Sequence, residues 1–431
     1  MPKMATWTKK NVRIPTLKSY KGTFPREFWR NFTRREIKAK PESWISGARL
    51  REMAEEVGFD NKPEVESVAE ILEGGADLGC IGSSRLASVM RNSPTAFQYG
   101  PRLIDSLEDW LKDDLAAGPF TKEELVNIFG AMGFKVNPMA VRLKPNGKAR
   151  IIIDMSSPHH DEDTIDLAGT IPTSVNAGIN NDDYPASMAS TKDVIEAFVK
   201  HGANCVFCKA DWTAAYKHIH VRPQDLRLQV VELGGRYFVE RALVFGSCSS
   251  PGIYDRTAKV IIRLAAKQAG TEEESILQCL DDVVGFGQPD DSSCLDFYKS
   301  YRETCRRVGV ILAPEGDKDK AFPPDTEGTI LGVEYRSETL EWRIPRQKAA
   351  YICATLYKVV DGEKISNEDA LRVMGRINHY FPLIQGGKFE RHWLMEMGDS
   401  VQPKYCMLTP SKLAREQARG PDPWGQGGGS L

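Results

Sequence analysis

At 431 residues, with 41% hydrophobic side chains, the chain has material for two or three domains with apolar cores, which excludes a small module or a peptide ligand. Its 57 basic and 59 acidic side chains nearly cancel, leaving −2, so whole-chain charge identifies no partner. The distribution is uneven: residues 1–40 carry twelve Lys and Arg against Glu27 and Glu36, and the rest of the chain is correspondingly acidic.

In that basic stretch Trp7, Tyr20, Phe24, Phe28, Trp29 and Phe32 alternate with the cationic groups. Such a composition suits neutralising phosphates and stacking on bases, and a solvated tail docked by a few aromatics accounts for it equally well. Residues 1–90 are expected to form a basic N-terminal extension. Residues 41–135 read as helical and moderately polar, with Thr121 and Glu124 at capping-box spacing. From about residue 136 the texture changes to short β-rich runs. Met139–Leu143 and Ile151–Ile153 flank Asn146-Gly147 and predict a hairpin. Cys205–Cys208 lead into Asp211 as a buried strand, and Leu228–Leu233 and Tyr237–Phe245 flank Gly234-Gly235 as a second hairpin.

Pro251–Gly270 spaces its apolar residues as a helix. Ile276–Leu280 and Val283–Phe286 enclose Asp281-Asp282, which predicts a tight hairpin with the acids at or near its tip. A helix follows, capped by Ser292 or Ser293 and ended by Gly309, and then a hairpin of Ile330–Tyr335 with Leu340–Ile344. This order predicts an α+β fold: an antiparallel-rich sheet backed by two helices, of the split βαβ kind. Lys348–Val360 and Glu368–Phe381 read as two helices of a subdomain spanning 346–400, and 401–431 ends in a Gly-rich, linker-like tail.

The nine cysteines, scattered through apolar runs, are unlike a disulfide framework and fit a reducing, intracellular setting. The first residues lack the apolar core of a secretory signal, and no uncharged apolar run approaches the roughly 18 residues of a membrane span, so a soluble chain without membrane contact is expected.

Asp211 at the end of one strand and Asp281 and Asp282 in a later hairpin are candidates to converge on one sheet edge. Three carboxylates there repel one another unless cations bind between them, and hard oxygen donors suit Mg²⁺. Two such ions roughly 3.5 to 4 Å apart support in-line phosphoryl displacement, so the chemistry expected is nucleotidyl transfer. Taken alone, Asp-Asp in a turn is more often a solvated turn. Other patterns carry less. Cys205 and Cys208 have zinc-like spacing without a second pair and read as strand residues. His159-His160-Asp161 reads as a polar loop, and His218 and His220 as a strand edge. Gly386-Gly387-Lys388 lacks P-loop spacing, and Gly246–Ser250 is not a nucleophile elbow.

Taken in order, the motifs resemble those of reverse transcriptases of retroelements. Lys148-Ala149-Arg150 resembles the fingers motif that holds the incoming triphosphate. Asp211 followed by Tyr216 matches a metal-binding Asp and an aromatic five residues on. Leu243–Pro251, with Phe245 and Gly246, resembles the segment shaping the nucleotide pocket. Cys279-Leu280-Asp281-Asp282 sits where the family has Tyr-x-Asp-Asp, and Ile330–Val333 resembles the primer-grip hairpin. Met155–Pro158, Ser174–Asn176 and Ser249–Asp255 are similar to DIRS-like, tyrosine-recombinase-bearing retrotransposons.

The resemblance implies a right-hand polymerase, with fingers and palm over residues 91–345 and a helical thumb over 346–400. It implies catalytic and metal-binding roles for Asp211, Asp281 and Asp282, the main-chain carbonyl of Trp212 completing one shell. It implies dNTP binding by Lys148, Arg150, Tyr216, Phe245 and Gly246, and two Mg²⁺ or Mn²⁺ ions. The lysine expected after the second palm helix is displaced, with Lys318 or Lys320 as substitutes. Expected partners are an RNA template, a DNA or RNA primer and dNTPs; any RNase H activity would come from another chain or domain. Tyr216 fills the space of a ribose 2′-hydroxyl and favours DNA synthesis over the alternative of an RNA-dependent RNA polymerase. Cys279, in place of the expected Tyr beside the primer end, leaves open a decayed remnant that only binds nucleic acid.

Overall fold

The computed structural model describes residues 26–30, 32–81, 92–130, 133–143, 147–157, 174–316 and 319–380, with two-residue strands at 8–9, 12–13, 407–408 and 429–430. Most of the basic arm, His159, His160, Asp161, Lys318, Gly386–Lys388 and most of the C-terminal tail lie outside the described residues. The chain forms two compact units: one of residues 1–187, 214–264 and 304–311, the other of 188–213, 265–303 and 312–431.

Beyond the short segments near the N-terminus come helices α1 (Gly47–Glu56) and α2 (Lys62–Gly74), started by side-chain caps from Ser46 and Asn61. Helix α3 (Gly100–Lys112) buries Leu103, Ile104, Leu107 and Leu111 at helical spacing. Strand β1 (Ala116–Phe120) precedes α4 (Lys122–Phe129), whose Thr121–Glu124 capping box forms with both reciprocal bonds. Strand β2 (Val136–Asn137) leads to the hairpin β3 (Met139–Leu143) and β4 (Ala149–Ile153), where Arg142 stands opposite Arg150.

Helix α5 (Thr191–His201), opened by a Ser190–Asp193 capping box, leads to strand β5 (Val206–Asp211). Strands β6 (Val230–Leu233) and β7 (Arg236–Glu240) form the Gly234-Gly235 hairpin. Its second strand is shorter than the sequence suggests: it stops at Glu240, and Phe245 and Gly246 lie in the loop before α6 (Ser250–Ala269). Strands β8 (Ile276–Cys279) and β9 (Asp282–Gly287), helix α7 (Ser293–Val308) and strands β10 (Phe322–Asp325), β11 (Glu327–Ile330), β12 (Val333–Arg336) and β13 (Glu341–Arg343) follow. Helices α8 (Arg346–Val360) and α9 (Asn367–Tyr380) come next.

Ile330–Tyr335 is not one strand, contrary to the sequence reading. The chain reverses at Leu331 (φ 48°) and Gly332 (φ 75°), so β11, β12 and β13 make a three-strand meander. Two consecutive positive φ values are the signature of a two-residue hairpin turn, and the glycine supplies the second without strain.

The first unit holds the sheet β1-β7-β6-β2, in which only β2 runs parallel to its neighbour. The second holds the all-antiparallel sheet β8-β9-β5-β10. Behind that second sheet, Phe198 of α5 meets Phe207 and Phe286 edge-on at 5.0 and 5.2 Å and stacks on Tyr335 at 4.9 Å. Such contacts add about 0.5–1.5 kcal/mol each to the burial of the rings, and they fix the strands that carry the acids.

Two buried histidines in the first unit replace the expected strand-edge pair. His218 accepts a bond from the Ile311 N–H (2.9 Å) at Nε2 while its Nδ1 faces the Ala215 carbonyl (3.1 Å). Nδ1 of His220 accepts from the Glu42 N–H (3.1 Å). Burial lowers both to about 4, against about 6.5 in an unfolded chain. The unfolded chain therefore takes up protons first, and the stability these rings provide is complete above about pH 6.5 and is lost as the pH falls toward 4. Melting temperature measured from pH 7 to 4 should fall, and His218→Asn should flatten that slope; a wild-type curve level to pH 4 would refute the reading.

Candidate active site

Strand β5 ends on Asp211, and the β8/β9 hairpin brings Asp282 directly opposite it in register. The sequence reading put both hairpin acids near a tip. In the structure Leu280 and Asp281 form the turn, while Asp282 is the first residue of β9, paired with Cys279. Leu280 has φ 62°, a strained conformation for a branched side chain, which a two-residue turn imposes at its first position. The turn is tied down by the Trp212 N–H, which donates to the Asp281 carbonyl (3.0 Å), and Trp212 Nε1 donates to the Tyr301 hydroxyl (2.5 Å).

The three acids offer carboxylate oxygens that all lie within 4.8 Å of one another, the one such cluster of potential metal ligands among the described residues. At that separation two carboxylates repel by about 3 kcal/mol at an effective dielectric of 20. Two lysines offset part of this. Lys320 Nζ lies 2.8 and 3.1 Å from the two oxygens of Asp211. Lys209 Nζ lies 2.9 Å from Asp282 Oδ2. Burial pushes the Asp282 carboxyl up to about 7, a rise that Lys209 opposes and that Asp281 and Asp211 reinforce. Burial works against the Lys320 ammonium, but its bond to Asp211 together with the negative charge of Asp211, Asp281 and Asp282 outweighs that and raises its pKa.

Does this cluster fit a divalent cation? Its donors are all carboxylate oxygens, the hard set that Mg²⁺ and Mn²⁺ take. Asp282 Oδ1 is moreover buried without a hydrogen-bond partner, as an oxygen reserved for a cation would be. The residues fit.

In the first unit, the ring of Tyr216 lies 4.8 Å from that of Phe245 and 5.7 Å from that of Tyr254. The Arg150 guanidinium sits 5.0 Å over Phe245, so three of the residues expected at the nucleotide come together here. Lys148 is exposed on the same β3/β4 hairpin, just before β4. Gly246 has φ 130°, and a Cβ there would lie 1.8 Å from the Ile153 carbonyl oxygen, so only glycine lets the loop approach β4 this closely. Asn176 latches the loop: its amide donates to the Gly246 carbonyl (2.7 Å) and the Ser156 hydroxyl (2.8 Å), and its Oδ1 accepts from the Cys248 N–H (3.0 Å).

Cys279 is a core residue, 1% exposed and packed with the aromatic cluster behind the sheet, and burial pushes its thiol up to about 12. Its side chain is therefore part of the core that backs the acid-bearing strands. Cys205 and Cys208 are buried free thiols of the β5 segment, as the strand reading had it. Sequence reasoning assigned no role to three residues. Lys209 was hidden in an apolar run, although its place two residues before Asp211 puts it on the same strand face. Arg142 gained meaning only from its register opposite Arg150, where like charges weaken a hairpin unless an anion joins them. Asn176 was noted only as part of a subgroup motif.

An antiparallel sheet presenting three acids, with helices α5 and α7 and a helical C-terminal pair, defines a class: an α+β fold of the reverse-transcriptase type. Residues 170–335 match the family model described as reverse transcriptase (RNA-dependent DNA polymerase). Among solved structures, the foamy viral protease-reverse transcriptase with double-stranded DNA is similar at 12% identity and TM-score 0.51, over 92% of this chain and 74% of that one. Its dRH form, also with double-stranded DNA, is similar at 12% identity and TM-score 0.51, over 90% of this chain. This chain spans 61% of the length of that dRH form. No curated protein matches the sequence. Among the described residues no helix is long and apolar enough to cross a membrane.

Proposed function

We propose that the chain is an RNA-directed DNA polymerase of a retrotransposon, most like the DIRS-like group, extending a primer 3′-hydroxyl with dNTPs on an RNA template. The observation that carries this is the Asp211, Asp281, Asp282 cluster on adjacent strands of an antiparallel sheet. Asp211 and Asp281 are the principal holders of two divalent cations, with Asp282 a further donor and the Trp212 carbonyl a further oxygen. Bound there, such cations activate the attacking hydroxyl and stabilise charge on the leaving pyrophosphate.

The remaining roles belong to the chain's own side chains. Arg150 and Lys148, and Arg142 across the hairpin, neutralise the triphosphate, and a positive pair facing each other is suited to a polyanion. Lys320, already at hydrogen-bond distance from Asp211, is the displaced family lysine and offsets charge on the departing pyrophosphate. Tyr216 excludes the ribose 2′-hydroxyl by occupying its volume, while Phe245 and Gly246 shape the nucleotide's seat. Helices α8 and α9 form the thumb.

Primer extension on a homopolymer RNA template, with deoxy- or ribonucleotides and with or without Mg²⁺ or Mn²⁺, tests the proposal. Metal-dependent deoxynucleotide incorporation is expected. Equal use of ribonucleotides would favour an RNA polymerase, and binding of the primer-template without extension would favour an inactive remnant.

A further inference from the structure

Lys209 is a lysine in the interior of β5, whose other members before Asp211 are Val206, Phe207, Cys208 and Ala210. Its residue is only 4% exposed. A buried ammonium is costly unless each of its donors is met, and here all three are. Nζ lies 2.9 Å from Asp282 Oδ2, 2.9 Å from the Asp319 carbonyl and 3.3 Å from the Thr329 carbonyl. Three separate segments of the second unit thus converge on one cation. The register explains how: Lys209 and Asp211 share a face of β5, Asp282 lies across from Asp211, and Phe322 of β10 lies across from Lys209.

The two oxygens of Asp282 consequently differ. Oδ2 is held by Lys209, and Oδ1 is buried without a hydrogen-bond partner. We propose that Lys209 is a positioning residue that makes Asp282 a one-oxygen donor to the carboxylate cluster, by fixing Oδ2 against the carbonyls of Asp319 and Thr329. The proposal rests on the reading of the cluster as a divalent-cation site. Lys320 differs in kind: its side chain is 48% exposed and pairs with Asp211, whereas Lys209 is enclosed and has no route to a substrate phosphate. Without Lys209 the Asp282 carboxylate is released to turn and offer both oxygens, so that the cluster gains a donor and one net negative charge while losing the geometry that aims it.

The test is Mn²⁺ titration of the full chain without nucleic acid, followed by the electron paramagnetic resonance of the free ion, on wild type, Lys209→Met, Asp282→Asn and the double variant. Lys209→Met should bind Mn²⁺ at least about fivefold more tightly than wild type. In the Asp282→Asn background the same replacement should change affinity by less than about twofold, because its effect passes through Asp282. In primer extension Lys209→Met should lower kcat by about tenfold or more and leave KM for dNTP within about threefold, as expected of a misaligned donor. If Lys209→Met does not fold, Lys209→Gln removes the charge while keeping two donors, and the double variant, which leaves no charge of the pair, carries the comparison. Unchanged Mn²⁺ affinity on loss of Lys209, or an equal gain with and without Asp282, would overturn the proposal. The expected Mn²⁺ pattern in a chain that extends no primer would uphold the role of Lys209 and defeat the polymerase reading, so the two failures are separable.

Discussion

Asp211→Asn and Asp281→Asn should each reduce deoxynucleotide incorporation by on the order of 10³-fold or more, about 4 kcal/mol of transition-state stabilisation, while primer-template affinity stays within a few-fold of wild type. The replacement keeps the side chain's volume and removes its charge, and the cluster consists of groups within 4.8 Å of one another, so no neighbouring carboxylate replaces the lost donor without moving. The stability cost should separate the acids. Asp211→Asn releases Lys320, whose side chain is 48% exposed and returns to water. Asp282→Asn strands Lys209 in a site that is 5% exposed, and a buried cation that loses its counter-charge is strongly destabilising. Thermal melting of the three variants should therefore place Asp282→Asn lowest, and single-turnover extension should place Asp211→Asn and Asp281→Asn lowest. Extension by Asp211→Asn within tenfold of wild type would remove this acid from the chemistry.

The parts of the fold that were legible in the sequence are those in which local patterning and tertiary need agree. The β8/β9 hairpin, α6 and α7 and the two C-terminal helices follow from apolar periodicity bounded by caps and glycines, and the Thr121–Glu124 capping box forms as spaced. Where the reading failed, backbone geometry was the reason. Ile330–Tyr335 looks like one strand because Leu331 carries a turn conformation that its side chain does not advertise. Tyr237–Phe245 looks like one strand, yet the chain leaves the sheet at Glu240, and the conformation that only Gly246 permits is imposed by contact with β4, remote in sequence.

The candidate site divides in the same way. The acids at a strand end and in a hairpin can be named from sequence because other motifs fall in order around them, although Asp-Asp in a turn taken alone is more often solvated. Lys209 could not be, because its worth depends on which carboxylate and which carbonyls the register places around it. Cys279 shows the same limit: motif order names its position, and only the packing with Phe198, Phe207 and Phe286 places its side chain in the core.

Tyr216→Val should erode the preference for deoxynucleotides over ribonucleotides, measured as the ratio of kcat/KM values, by on the order of 100-fold. The expected size follows from how firmly the ring is held. Tyr216 is buried, with Phe245 and Tyr254 at centroid distances of 4.8 and 5.7 Å, so it cannot swing aside for a 2′-hydroxyl without displacing two other aromatics. A side chain with that little freedom excludes by volume, and valine removes most of the volume while keeping an apolar surface. Tyr216→Phe keeps the ring and loses only the hydroxyl, so its sugar preference should match wild type; a loss of preference in this variant would show that the phenol recognises the sugar by hydrogen bonding instead. Retention of full discrimination by Tyr216→Val would place the gate on another residue, with Phe245 the next to replace, since the same stack carries Arg150.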